Sequence, residues 1–145
     1  MASEFTLGLV DKRGQLSAFA AEKEGSWSGP VPVGAAGLAD PGAPVAASQR
    51  SGPDRTDVFV IDKKGTLTVF SADGEGHWSP PELVEQAGAL PGGAYVAASP
   101  QFGVKNRTDI FFINQIDANA TGRPEVTWAE EKGVWKGPKK LSTEV

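Results

Sequence analysis

The pattern acid-x-x-Gly-x-Trp occurs three times, as Glu22 to Trp27, Asp73 to Trp78 and Glu130 to Trp135, each with a Pro three residues past the Trp. An indole is a large apolar plate with one N–H donor, so it can close a seam between packed sheets or stack on the apolar face of a sugar ring. Two further triplets, Arg55-Thr56-Asp57 and Arg107-Thr108-Asp109, each open an apolar run. Thr and Asp suit a turn leading into a strand, while the Arg is a fork of donors suited to hydroxyls. The candidate ligand-binding residues are therefore Trp27, Trp78 and Trp135, with Arg55 and Arg107 as their polar partners.

The chain carries less that could break bonds. Catalysis by carboxylates needs two of them converging on one bond, whereas the acids here fall mainly in turns or at strand ends that recur along the chain. His77 is the single histidine and has Ser26 and Val134 as its counterparts, so it reads as an exposed strand residue. One histidine and no cysteine exclude a His cluster and thiolate sites for a metal. Phosphate-binding, dinucleotide-binding and EF-hand motifs are missing as well. The expectation is a binding protein, not an enzyme, with no catalytic residues, metal or cofactor.

Positioning these residues requires a repeated scaffold. Val10-Asp11-Lys12-Arg13-Gly14-Gln15-Leu16 returns as Ile61-Asp62-Lys63-Lys64-Gly65-Thr66-Leu67, Trp27 returns as Trp78, and Val45-Ala46-Ala47-Ser48 returns as Val96-Ala97-Ala98-Ser99. One offset serves all three anchors. A third copy starts when Arg107 to Ile113 repeats Arg55 to Ile61, and it closes at Trp135 after an insertion near Gln115 to Gly122. Within a copy, β-branched and aromatic runs alternate with Gly-containing turns, which is the pattern of short antiparallel strands. His77 to Val84 reads as an outer strand because Pro80 and Pro81 cannot donate to a ladder. Tyr95 to Ser99, small and apolar, suits a crowded inner position.

The fold class is thus all-β: about three four-stranded β-propeller blades in a single domain covering 1–145, with repeats at approximately 4–44, 45–95 and 96–145. The first repeat has no inner strand, so the expected total is about eleven. Three blades do not close a ring, and completion by self-association, most simply as a homodimer, is expected.

Composition agrees with this architecture. Eighteen Gly and eleven Pro among 145 residues imply many turns. A net charge of −4 with no basic block argues against nucleic acid as a partner. Neither a signal peptide nor an apolar stretch long enough to span a membrane is legible, and the lack of cysteine favours the cytoplasm.

The order of a small apolar strand, Arg-x-Asp-Val-Phe-Val, a Gly turn, a Leu-containing strand and Gly-x-Trp-Ser is carried here by Val45 to Ser48, Arg55 to Val60, Gly65, Leu67 and Gly76 to Ser79. In this the chain resembles the β-propeller lectins of the Psathyrella velutina type and their bacterial relatives. The resemblance implies binding of a monosaccharide of the fucose or N-acetylglucosamine class in pockets between adjacent blades. The thin aromatic content of Gln15 to Phe19 and Thr66 to Phe70 keeps a second reading open, a non-catalytic protein-interaction or assembly scaffold.

Overall fold

A computed structural model describes residues 5–21, 25–48, 55–85, 90–91, 94–100, 104, 107–115, 122–130 and 134–141. They form three antiparallel sheets in chain order. The first contains β1 (Phe5–Val10), β2 (Leu16–Ala21) and β3 (Trp27–Pro32). The second contains β4 (Val45–Ser48), β5 (Thr56–Ile61), β6 (Leu67–Ala72) and β7 (Glu82–Glu85). The third contains β8 (Val96–Pro100), β9 (Arg107–Gln115), β10 (Gly122–Glu130) and β11 (Lys136–Lys140). Strands follow one another across each sheet, and among the described residues the first sheet has no counterpart of the inner strand that β4 and β8 supply to the others. Among the described residues no helix is long and apolar enough to cross a membrane.

Turn chemistry sets the hairpins. In Asp11-Lys12-Arg13-Gly14 the Asp11 carboxylate accepts the backbone N–H of Arg13 at 2.7 Å and of Gln15 at 3.1 Å. Asp62 does the same with Lys64 at 2.8 Å and Thr66 at 2.9 Å, and Asp73 with Glu75 and His77, both at 2.9 Å. Each turn ends on a Gly with φ between 70° and 85°, at Gly14, Gly65 and Gly76. That region is open to glycine and costly for other residues. A Cβ on Gly14 would also stand 2.3 Å from the Ala39 carbonyl oxygen.

The outer strand of the second sheet begins later than its composition suggests. β7 starts at Glu82, beyond Pro80 and Pro81, and Trp78 joins the sheet only through an isolated bridge to Ala72. Two successive residues without N–H groups hold the ladder open between these points. In the third sheet β9 and β10 extend to nine residues each, reaching the insertion at Gln115 and Gly122. Its residues 116–121 lie outside the described set.

The sheets stack in sequence, and β4 lies beside both β1 and β8. The second sheet is apolar on both faces, as a middle layer must be. On one face Val58, Val60 and Phe70 pack against Val10 and Leu16 of the first sheet, with Ala39 and Ala43 from the connecting loop. On the other, Phe59, Ile61, Leu67 and Val69 pack against Ile110 and Phe112 of the third. Alternation along β5 therefore assigns even positions to one neighbour and odd positions to the other. Val58 to Ile61 are all essentially inaccessible.

Two outcomes follow from the turns. Asp62→Ala removes a carboxylate that accepts two backbone N–H groups and is expected to cost about 1–2 kcal/mol in urea unfolding. The second concerns pH. The Gln15 N–H chiefly, with Arg13 adding, holds the Asp11 carboxyl below its ordinary 3.8. The His77 N–H chiefly does the same for Asp73. A depressed carboxyl stabilises the fold above its unfolded value, and this contribution disappears as pH falls through the folded value. Melting temperature should therefore drop as pH is lowered below about 3.8, with a smaller drop in the Asp11→Asn, Asp73→Asn double variant.

Candidate functional site

All three repeat tryptophans take the same place in their sheets. Trp27 pairs with Ala21 and Trp78 with Ala72. Trp135 directly precedes Lys136, the partner of Trp128, which sets it beside Ala129, the counterpart of Ala72. Their surroundings differ in one respect. Trp78 packs on the apolar cluster between the first and second sheets, and Trp135 on the cluster between the second and third. Each thus covers the seam with the sheet before it. Among the described residues no sheet lies against the corresponding face of the first, and Trp27 is 57% exposed.

The arginines face the other way. Asp57 and Phe59 share the β5 face turned to the third sheet, and Arg55 continues that face, with Nε 3.7 Å from Asp57 Oδ1. Phe59 meets Trp135 edge to face, with ring centroids 5.6 Å apart. Arg55 therefore shares a seam with Trp135 of the following sheet, not with Trp78 of its own. That seam turns polar at this end. Ser71 Oγ donates to Asp57 Oδ1 at 2.5 Å. The Ser48 and Thr108 hydroxyls, from opposite sheets, are 3.0 Å apart and pin the two sheets together. Among the described residues Arg55 Nε makes no hydrogen bond, and a third of its side chain is exposed.

Arg107 is placed differently. Its Nε bonds Asp109 Oδ1 at 2.8 Å, and its guanidinium lies over the Trp128 ring, 5.1 Å from the centroid. Trp128 pairs with Asp109 just as Ser71 pairs with Asp57, so Trp stands where the second sheet has Ser. Arg107, Asp109 and Trp128 lie on the β9–β10 face turned away from the second sheet, the face that also carries Phe111.

The five residues singled out from the sequence therefore fall at four places. Arg55 and Trp135 share one seam; Trp78 covers another; Arg107 and Trp27 sit on opposite end faces of the stack. The offset places Glu4 at the Arg55 position of the first sheet, outside the described residues. Sequence reasoning missed Trp128 because the β9–β10 insertion shifts it out of the fixed offset. Thr108 and Asp57 were legible only as a strand start.

The remaining chemistry is sparse. His77 Nδ1 lies 3.1 Å from Asp73 Oδ2 in an exposed turn. Among the described residues no group of three His, Cys, Asp or Glu side chains could hold a metal ion.

Comparison with known proteins adds one structure at high similarity. The chain superposes on the crystal structure of BP39L lectin from Burkholderia pseudomallei with a TM-score of 0.86 and 41% sequence identity. The match covers 96% of this chain and 38% of that one, so the chain spans well under half of the lectin's length. No family model and no curated protein matches.

The seam's polar end is open to direct measurement. Ser71→Ala leaves the fully buried Asp57 carboxylate one donor short, and should destabilise the protein by about 1–3 kcal/mol in urea.

Proposed function

We propose that the three sheets are blades of a β-propeller and that the protein is a non-catalytic carbohydrate-binding module, taking a monosaccharide at the seam between the second and third sheets. The observation that carries this reading is the placement of Arg55 and Trp135 on opposite walls of one seam that also holds the polar residues Ser48, Asp57 and Thr108. A sugar needs what this pairing has. Its C–H face matches an indole plate, and its hydroxyl oxygens accept hydrogen bonds, which guanidinium N–H groups donate. A third of the Arg55 side chain is exposed at the rim of the seam, where a ligand oxygen can reach it. The 41% identity to a protein described as a lectin supports the same class of ligand.

The pattern of the repeats adds to this. Arg-Thr-Asp opens the second strand of two sheets, and in both the Arg lies close to its Asp. In the third sheet the 2.8 Å bond to Asp109 fixes the plane of the Arg107 guanidinium, which is the pre-organisation that a weakly binding ligand such as a sugar requires.

Fluorescence or calorimetric titration with fucose and with N-acetylglucosamine tests the reading. The expected result is saturable binding to one of them, weakened about tenfold or more by Arg55→Ala and only partly recovered by Arg55→Lys, which keeps the charge but not the planar fork. No response to either sugar at millimolar concentration would overturn it.

A further inference from the structure

The outer strands of the three sheets are equivalent in sequence but carry different side chains. Counting on from the repeat tryptophan, Ser28-Gly29-Pro30-Val31-Pro32 of the first sheet corresponds to Ser79-Pro80-Pro81-Glu82-Leu83 of the second and to Lys136-Gly137-Pro138-Lys139-Lys140 of the third. Gly29 and Gly137 both take a positive φ, 118° and 97°, and the ladder shifts register beside each. Three lysines therefore replace Ser, Val and Pro on an edge whose backbone does not ask for them. An edge lysine often serves to repel a passing strand. Here that task is already done, because Pro138 offers no N–H and the register shift interrupts the ladder. The first sheet guards its edge in the same way without a single charged residue.

We infer that β11 is a docking edge for a linear sulfated polysaccharide, held by Lys136, Lys139 and Lys140 outside the sheet-to-sheet seams. All of β11 is exposed, and among the described residues none of its lysines has an ion pair. The acid across the ladder from Lys140, Glu125, is buried and already held by Arg123 at 2.6 Å. These three positive charges thus stand open on a chain whose net charge is −4. Neighbouring sheets meet chiefly through β1, β4, β5 and β8, so the outer edge lies on the perimeter whatever covers the faces of its sheet.

The shape of the edge selects the occupant. A strand edge is a line of charge and not a plane, which matches a chain better than a lipid surface. An acidic peptide would bind such an edge by adding a strand, and Pro138 and the register shift work against that. Single-stranded nucleic acid needs aromatic platforms, and β11 carries no aromatic residue. The overall negative charge repels a duplex. A sulfated polysaccharide needs only spaced point charges, and lysine supplies them. Lys136 and Lys139 stand beside Trp128 and Val126, and Lys140 beside Glu125, on the two sides of the edge, so the ammonium groups bracket a chain lying along it.

Calorimetric titration of the full chain with heparin tests the edge. The expected result is saturable binding that weakens as salt is raised, and that falls about tenfold or more in the Lys136→Gln, Lys139→Gln, Lys140→Gln triple variant. A second triple variant, Lys12→Gln, Lys63→Gln, Lys64→Gln, removes the same charge from exposed turns and should bind heparin as the unaltered chain does. All six lysines are exposed, so urea unfolding should be alike for the three proteins. Fully desulfated heparin should not bind. Absence of heparin binding at low salt, an equal loss in both triple variants, or equal binding of desulfated heparin overturns the docking edge. Duplex DNA or polyglutamate binding as tightly as heparin at the same salt overturns the polysaccharide as its occupant. The edge does not rest on the monosaccharide reading: heparin binding that persists where fucose and N-acetylglucosamine give no response leaves it standing.

Discussion

The packing of one sheet face on the next is the constraint from which the rest of the structure follows. A four-stranded sheet with apolar side chains on both faces cannot stand alone in water, and in the second sheet β6 is buried along its whole length and β5 from Asp57 to Ile61. Phe59 and Val58 point to opposite neighbours, so a one-residue slip of β5 would exchange the contents of both seams. The carboxylate-capped turns at Asp11 and Asp62 prevent such a slip by fixing where each hairpin reverses. Turn chemistry and face packing are thus two halves of one register lock.

The same alternation explains why the polar residues sit where they do. Moving outward along β5 from Ile61 to Phe59 to Asp57 to Arg55, one face of a single strand passes from the apolar centre of a seam to its wet rim. A buried carboxylate needs partners, and Asp57 finds Ser71 and Arg55. Trp135 arrives at that rim from the next sheet because the β10–β11 register places it beside Ala129. A binding groove at the rim of a sheet-to-sheet seam is a consequence of stacking repeats that are apolar in the middle and polar at one end.

Differences between the repeats matter as much as their likeness. Gly8 stands where the second sheet has Phe59, and a Cβ there would touch Val45 and Val58 at 3.0 and 3.1 Å. The seam between the first two sheets is therefore closed down by aliphatic side chains, and Trp78 has no aromatic partner of the Phe59 kind. Trp128 in place of Ser71 makes the reverse change on the third sheet. The scaffold is repeated while the rims are individual.

The repeat, the turn positions, the inner and outer order of strands and the missing inner strand of the first sheet were all legible in the sequence, because each rests on local spacing: Gly at a fixed distance from Asp, alternation with period two, Trp six residues past a small residue. The start of β7 was misjudged for an equally local reason, since Pro80 and Pro81 allow an edge but block the ladder. What local spacing cannot express is which neighbour a side chain faces. Arg55 and Trp78 belong to one repeat in the sequence, yet Arg55 lines the seam with the following sheet and Trp78 the seam with the preceding one. Pairing Arg55 with Trp135 was decided only by stacking, because a strand sends successive side chains to opposite faces and each face meets a different part of the chain, while the β9–β10 register set Trp128 beside Arg107.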